Sequence, residues 1–135
     1  MKVLIDTNII LDVLCRRGDF YKDSAMVWKL CEVRTITGVV SALSVPNIIY
    51  IMRKELDTER TKEILDCISL IFTVADLKAA DLKKAAGMNF KDYEDAVQSA
   101  CASRIQAEYI ITRNSKDFRE SKVAAIEPTE FLGRI

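Results

Sequence analysis

The sequence feature that most constrains the fold is a short apolar run near the amino terminus that ends abruptly in polar residues. The run Val3–Ile5 has no polar interruption, which is typical of a strand buried on both faces of a parallel sheet. Asp6, Thr7 and Asn8 follow it directly. Ligands of open α/β sheets bind beyond the carboxyl ends of the strands, so these side chains offer oxygen ligands suited to a hard cation. The alternative is that Asp6 or Thr7 only caps the following helix, because both residue types are favoured at that position.

Strand and helix patterns alternate along the rest of the chain. Four further strands are predicted, over residues 35–41, 70–75, 109–112 and 123–126, with helices between them. The segment Leu70–Ala75 reads as a buried strand, and the helix that begins near Ser44 has apolar residues on most sides and is expected to be buried. This alternation predicts an α/β sandwich with a mostly parallel central sheet of about five strands flanked by helices. A chain of 135 residues is expected to form one domain, residues 1–135.

Charge and residue content restrict the chemistry. Twenty basic and twenty acidic residues cancel, which argues against a generally basic nucleic-acid-binding protein and leaves RNA contacts to local patches. The chain has no histidine, which excludes a Ser-His-Asp triad, a Cys-His pair and a histidine-bearing zinc site. Carboxylates, amides, hydroxyls, amines or thiols must therefore carry any reaction.

The four cysteines lie far apart without a C-x-x-C pair, and we expect them to be small core residues.

The apolar stretches indicate a cytoplasmic protein. No apolar stretch is long enough for a signal-peptide core or a membrane span. We therefore expect a cytoplasmic location and no membrane contact.

A second acidic group begins the helix predicted over residues 92–107. Asp92 and Asp95 are three positions apart, so they are expected to share one helix face near its positive end, while Glu94 is expected to point elsewhere. Acidic residues in a first helical turn are also ordinary partners of the helix dipole, which is the structural alternative.

A third polar group follows the strand predicted over residues 109–112. If this strand neighbours the first one, Asn114 and Asp117 face the same crevice as Asp6. Carboxylates gathered in this way repel one another unless a divalent cation neutralises them. Asp117 alone is equally consistent with a turn former, so the convergence of the three groups favours a metal site.

At this point the chain resembles a known family, the PIN-domain nucleases, and more narrowly the VapC-like toxin ribonucleases of toxin–antitoxin pairs. The matching stretches are V-L-I-D-T-N-I-I-L-D at Val3–Asp12, S-A-L-S-V-P-N-I-I-Y at Ser41–Tyr50, D-Y-E-D-A-V-Q-S-A-C-A at Asp92–Ala102 and I-I-T-R-N-S-K-D-F at Ile110–Phe118. They span nearly the whole chain in the family's order. The resemblance implies a PIN-like three-layer sandwich.

The resemblance also implies roles for individual residues. Asp6 and Asp95 would bind the metal, and Asp117 would join them as a catalytic acid. Asn8 would be a polar neighbour of the metal ligands.

Two positions depart from the family pattern. Many members have a glutamate where this chain has Asn47 and an aspartate where it has Asn114, so the site would hold fewer negative charges. Asp92 or Asp117 would then compensate. Asn47 and Asn114 would act as neutral ligands or as neighbours of the ligands.

The resemblance implies a Mg²⁺- or Mn²⁺-dependent endoribonuclease that cleaves single-stranded or structured RNA to a 5′-phosphate and a 3′-hydroxyl. Arg113, Lys116 and Arg119 lie beside the predicted pocket and are candidates for binding the RNA backbone. A small antitoxin protein and a second copy of the chain, in a homodimer, are the implied partners. Two alternatives stay open: another metal-dependent phosphohydrolase, or a PIN-like module that binds RNA or protein with weak or no catalysis.

Overall fold

The structure, a computed structural model, describes all 135 residues and shows strands and helices in the predicted alternation. The strands are β1 (Lys2–Ile5), β2 (Thr37–Ser41), β3 (Thr73–Ala75), β4 (Tyr109–Ile111) and β5 (Ala125–Ile126). The α-helices are α1 (Thr7–Leu14), α2 (Tyr21–Glu32), α3 (Ser44–Ile51), α4 (Thr58–Ile71), α5 (Ala79–Ala86), α6 (Tyr93–Arg104) and α7 (Pro128–Leu132). Short 3₁₀ turns occupy Gly18–Phe20, Arg53–Glu55 and Ser115–Phe118.

All five strands form one parallel sheet in the order β3-β2-β1-β4-β5. The chain builds the sheet outward from β1 to β3 and then crosses to the other side of β1 to add β4 and β5. Ile5 is paired with Ile111, so β1 and β4 end at the same level. The strand order reverses between these two strands, and this is where open α/β sheets form a ligand-binding crevice.

Alternate residues of β1 face two different helical layers, as the two-residue repeat of a strand requires. Val3 and Ile5 belong to a core of 17 buried residues that also includes side chains of α1, α2, α3, α4 and α7. Leu4 faces the other layer, where it packs with Cys101 and Ala102 of α6. Helix α5 packs against the outer side of α6. The predicted PIN-like three-layer sandwich with a parallel five-stranded sheet is confirmed.

The prediction for Leu70–Ala75 was wrong in its boundaries and its burial. Helix α4 continues to Ile71, and Leu70 is 73% exposed on its last turn. The strand β3 comprises only Thr73–Ala75, and of these only Ala75 is buried because β3 lies at the edge of the sheet. An apolar run cannot by itself distinguish the end of a helix from the start of a strand.

The expectation of a buried third helix was also wrong. Only Ser44 and Ile48 of α3 are buried, whereas Tyr50 and Ile51 are 65% and 49% exposed. Helix α3 packs against α1 and β2 with one side only, which leaves its apolar outer side at the surface.

The expectation for the cysteines held in part. Cys31 and Cys101 are buried in the two core layers, Cys67 is partly buried, and Cys15 is exposed. No helix is both long and apolar enough to cross a bilayer.

Candidate metal-binding active site

Asp6 is buried at the carboxyl end of β1, with 4% of its surface exposed. It occupies the N-cap position of α1, but its side chain makes no capping hydrogen bond. Its Oδ1 instead accepts a hydrogen bond of 2.9 Å from Gln98 Nε2 of α6, and its Oδ2 accepts one of 2.8 Å from Thr112 Oγ1 after β4. Capping therefore does not explain this carboxylate.

The Asp6 carboxylate has no salt bridge. Burial raises its pKa above the ordinary value for aspartate, while the hydrogen bonds from Gln98 and Thr112 and the more distant charge of Arg113 lower it. The net shift is upward, so neutral donors and a distant charge do not replace the water lost on burial. A charged Asp6 is stabilised far more by a cation bound next to it.

Asp95 lies in the first turn of α6 and lines the same pocket as Asp6. Burial, the charge of Asp6 and the charges of Asp92, Asp117 and Glu94, in decreasing order, raise its pKa to about 7. Burial, and then repulsion from the neighbouring acidic residues, thus favour the protonated form of Asp95 up to about neutral pH. A bound divalent cation would remove that repulsion.

The pocket at the ends of β1 and α6 has a volume of about 280 Å³. It is lined by Asp6, Thr7, Asn8, Asn47, Tyr50, Ile51, Asp92, Glu94 and Asp95. The structure therefore brings together five of the residues singled out from the sequence, namely Asp6, Asn8, Asn47, Asp92 and Asp95. The Asn8 Oδ1 accepts a hydrogen bond of 3.2 Å from Arg17, which orients its amide at the rim.

The prediction that Glu94 points away from the site was wrong. Glu94 lines the pocket with Asp6 and Asp95, and the amide of Asn47 on α3 interacts with its carboxylate. Burial raises the pKa of Glu94, the interaction with Asn47 lowers it, and the charges of Asp92 and Asp6 raise it further.

Asp92 has the structural role that was the alternative explanation for it. It is the N-cap of α6, and its Oδ1 accepts hydrogen bonds from the backbone N–H groups of Glu94 at 2.8 Å and Asp95 at 3.4 Å. One of its oxygens is therefore committed to holding the first turn of α6, from which Glu94 and Asp95 project.

Asp117 and Asn114 do not line this pocket. Asp117 is exposed on the 3₁₀ turn after β4 and lines a second groove of about 600 Å³. Its charge contributes to the raised pKa of Asp95, which places it near the first pocket without lining it. Asn114 is exposed, and its side chain does not cap the 3₁₀ turn that it begins.

The second groove carries most of the positive charge near the site. It is lined by Asn89, Phe90, Lys91, Lys116, Asp117, Arg119 and Glu120. Lys91, Lys116 and Arg119 are exposed and form no salt bridge within the protein. Their ammonium and guanidinium groups are available to an anion.

Arg113 is placed differently from Lys116 and Arg119. Its Nε donates to Asp12 Oδ2 at 2.8 Å, and its guanidinium lies 3.9 Å from the centre of the Phe20 ring. Contacts within the protein therefore hold the Arg113 guanidinium in place, unlike the side chains of Lys116 and Arg119.

Sequence reasoning missed two residues that hold Asp6, namely Gln98 and Thr112. Both are almost completely buried, at 1% and 0% exposure, and the Gln98 Oε1 has no hydrogen-bond partner. The available signal was a polar side chain in a buried setting: Gln98 interrupts the small apolar residues of α6 one turn after Asp95, and Thr112 follows the apolar strand β4 directly.

The donor set of the pocket fits a hard divalent cation. Asp6, Glu94 and Asp95 offer carboxylate oxygens and Asn8 and Asn47 offer amide oxygens, the ligand types that Mg²⁺ and Mn²⁺ prefer. None of the three carboxylates has a salt bridge. They do not form a preassembled cage of three acidic ligands, so their side chains would have to move closer together to bind one ion.

The chain matches a known protein family. The family model described as a PIN domain covers residues 2–116. No curated protein matched the sequence.

Several solved structures have the same fold at low sequence identity. VapBC from Salmonella typhimurium, solved bound to DNA, is 17% identical with a TM-score of 0.70, and the match covers 95% of this chain and 98% of that chain. VapBC2 from Rickettsia felis, bound to a DNA fragment of its promoter, is 18% identical with a TM-score of 0.67 and coverage of 94% and 98%. VapC20 from Mycobacterium tuberculosis, a toxin that cleaves the sarcin–ricin loop, is 10% identical with a TM-score of 0.64 and coverage of 80% and 86%.

Proposed function

Because the chain belongs to the PIN-domain family, we propose that it is a divalent-metal-dependent endoribonuclease and the toxin of a toxin–antitoxin pair. The observation that carries the proposal is the Asp6 carboxylate, which is buried at the β1–β4 crevice without a cation of its own and shares a pocket with Asp95. Asp6 and Asp95 would hold Mg²⁺ or Mn²⁺, and Asp117 would act from the neighbouring groove as a further catalytic carboxylate.

The protein's own residues prepare this site before any substrate arrives. Gln98 and Thr112 fix both oxygens of Asp6, so its orientation does not depend on the ion. Asp92 fixes the first turn of α6 and with it the backbone of Asp95. When bound, a divalent ion supplies an activated water and stabilises charge on the phosphodiester oxygens.

The groove beside the acidic pocket supports RNA as the substrate. Lys91, Lys116 and Arg119 line it without salt bridges, and so does Asp117, whose charge acts on Asp95. A backbone that follows these cations would bring successive phosphates toward Asp95. Phosphate contacts position a nucleic acid without reading its sequence, so this groove explains binding and leaves the choice of target to other contacts.

The proposal is tested by cleavage of a labelled RNA at increasing Mn²⁺ or Mg²⁺ concentration, with the metal removed by a chelator as the blank. We expect wild type to cleave only with metal and Asp6→Asn to cleave at least about a hundredfold more slowly. Asp66→Asn, which removes an exposed carboxylate from α4, is the matched control and should cleave like wild type. Cleavage that survives chelation, or a wild-type rate in Asp6→Asn, would refute the metal assignment.

The same experiment separates the alternatives. Hydrolysis of small phosphate esters but not of RNA would favour another phosphohydrolase. RNA binding without metal-dependent cleavage would favour a non-catalytic module, for which the neutral Asn47 and Asn114 are the supporting observation.

Protein partners are the second part of the proposal. The VapBC structures of similar fold contain an antitoxin, and we infer that this chain has one as well. Tyr50 and Ile51 form an exposed apolar rim on the pocket, which a protein covering the site would bury. Co-expression with the product of an adjacent small reading frame should give a complex that does not cleave RNA, and cleavage by that complex would count against inhibition.

A homodimer remains part of the proposal. The exposed apolar side chains are consistent with a subunit interface. Sedimentation of the isolated protein at micromolar concentration should give a dimer, and a monomer would contradict it.

A further inference from the structure

We propose that Glu94 is the third metal-binding carboxylate of this site and that Asn47 positions it. The inference rests on the proposed metal-dependent function and concerns how this chain supplies a negative charge that Asn47 does not provide. It assigns Glu94 a role as a ligand and gives Asn47 a role as a positioning residue.

The geometry places Glu94 and Asn47 against each other across the pocket. Glu94 projects from the first turn of α6, and Asn47 projects from α3. Both side chains are partly buried and both line the pocket that contains Asp6 and Asp95. Glu94 of α6 and Asn47 of α3 therefore approach the same part of the pocket from two helices.

The other two candidates for this role are placed less favourably. Asp92 is exposed, and one of its oxygens accepts two backbone hydrogen bonds that hold the start of α6. Asp117 is exposed and lines the neighbouring groove instead of the pocket. Glu94 is the remaining carboxylate that lines the pocket and is committed neither to a helix cap nor to a salt bridge.

The Asn47 amide suits a positioning role. An amide can donate through its NH₂ group to a carboxylate oxygen, which leaves the second oxygen and further lone pairs free for a cation. Because both side chains line one pocket, such a donor can hold the Glu94 carboxylate in one orientation toward it. An apolar residue at position 47 would leave the carboxylate without this partner.

The test measures Mn²⁺ binding calorimetrically, which does not depend on activity. We expect Glu94→Gln to weaken binding by at least about tenfold, because removal of even an outer partner of a metal ligand commonly costs 10–100-fold in affinity. Glu59→Gln is the matched control: Glu59 also lies in the first turn of a helix, α4, but away from the pocket. It should bind Mn²⁺ like wild type.

A double variant tests whether a carboxylate on α3 can replace the one removed from α6. In Glu94→Gln/Asn47→Glu the number of carboxylates equals that of wild type, and we expect most of the lost affinity to return. Asn47→Leu, in which Glu94 is kept but loses its amide partner, should weaken binding less than Glu94→Gln. Thermal unfolding without metal checks that each variant is folded.

The outcomes distinguish this inference from the proposed function. If Asp6→Asn and Asp95→Asn lose Mn²⁺ binding but Glu94→Gln binds as tightly as wild type, the metal site stands and the role of Glu94 is wrong. If Glu94→Gln weakens binding but the double variant does not recover, Asn47 is not next to the ion and the exchange of charge is wrong. If wild type binds no Mn²⁺, the proposed function itself fails.

Discussion

Asp6 and Asp12 are two buried carboxylates at opposite ends of one short segment, and they differ in their partners: Asp12 forms salt bridges and Asp6 forms none. Both are buried, with 4% and 0% of their surface exposed. Asp12 receives the Arg113 guanidinium at 2.8 Å, the Ser24 hydroxyl at 3.0 Å and Arg17 at 3.8 Å. Asp6 receives only neutral donors, among them the side chains of Gln98 and Thr112.

The comparison indicates which buried charges serve the fold and which serve a ligand. An isolated charge is costly to bury, so buried carboxylates in proteins are paired or bind a metal. Asp12 is paired with an arginine, and so is Asp81, which binds Arg104 at 2.9 Å. Asp6 forms no salt bridge within the chain, which supports the proposal that it binds a cation from outside. Two consecutive residues after β4 make the distinction, since Thr112 donates to Asp6 and Arg113 to Asp12.

The largest effect is expected on activity when Asp6 is neutralised. Asp6→Asn should lower RNA cleavage by two to three orders of magnitude, a loss of about 3–4 kcal/mol in transition-state stabilisation comparable with that of other preorganised groups. The protein should remain folded, because the variant removes a buried charge that forms no salt bridge. Single-turnover cleavage and urea unfolding of the same preparation measure both quantities. A variant that unfolds instead would place Asp6 in the same class as Asp12.

The next effect is on stability, when Asp12 loses its main cation. Arg113→Gln should lower the free energy of unfolding by roughly 2–3 kcal/mol, somewhat below the 3–5 kcal/mol typical of a broken buried pair because Ser24 and Arg17 remain. Arg119→Gln removes an exposed arginine six residues away and is the control, with a change within about 0.5 kcal/mol. Equal urea midpoints for the two variants would show that Arg113 does not hold the fold together.

A smaller and pH-dependent effect is expected at Asp95. Its pKa is about 7 in the folded protein and near 3.8 in the unfolded chain, so the folded state binds the proton more tightly. Stability of the metal-free protein should therefore fall as the pH rises from about 4 to about 7. Asp95→Asn should remove this loss and gain on the order of 1 kcal/mol at pH 8, a figure reduced for solvent screening of a partly exposed group, with no gain at pH 4.

Urea unfolding in the presence of a chelator at pH 4, 6 and 8 checks the Asp95 effect. Asp66→Asn, an exposed carboxylate of α4, should show no such trend. A gain that is the same at all three pH values would mean that repulsion within the pocket is not its cause.

The smallest effect is expected on RNA binding, when an exposed cation without a salt bridge is removed. Lys116 has no internal partner, so Lys116→Ala should leave stability unchanged and weaken RNA binding only several-fold at low salt. Loss of one phosphate contact should reduce the slope of log affinity against log salt concentration by about 0.7 for single-stranded RNA. Fluorescence anisotropy at four salt concentrations gives this slope. An unchanged slope would place the RNA outside the groove.

The sequence predicted those parts of the site that depend on local patterns. The apolar run before Asp6 identified both the central strand and the carboxylate at its end, because burial on two faces leaves a signal within a few residues. The partners of Asp6 could not be found in this way. Gln98 and Thr112 are 92 and 106 residues away in sequence, and only the order of the strands brings them to Asp6.

The error at Glu94 has a specific cause in backbone geometry. Asp92 and Asp95 both line the pocket, as their spacing predicts, but Asp92 does so as the N-cap, with extended dihedral angles of φ −111° and ψ 120°. The Cα–Cβ bonds of a helix tilt toward its N-terminus, so neighbouring side chains of the first turn can converge on a pocket at that end. Glu94 therefore lines the pocket beside Asp95, which a rule for sharing one helix face does not predict.

The central position of β1 has a consequence for how the site can be controlled. The backbone N–H of Asp6 donates to the carbonyl of Ile111 at 3.0 Å, which joins the site to the middle of the sheet. Amides in such positions exchange with solvent only when the whole domain opens, whereas loops and edges open far more often. Asp6 is therefore expected to keep its orientation for as long as the molecule is folded. We therefore expect any inhibition of the proposed activity to come from a partner that covers the pocket, and not from local unfolding of the site.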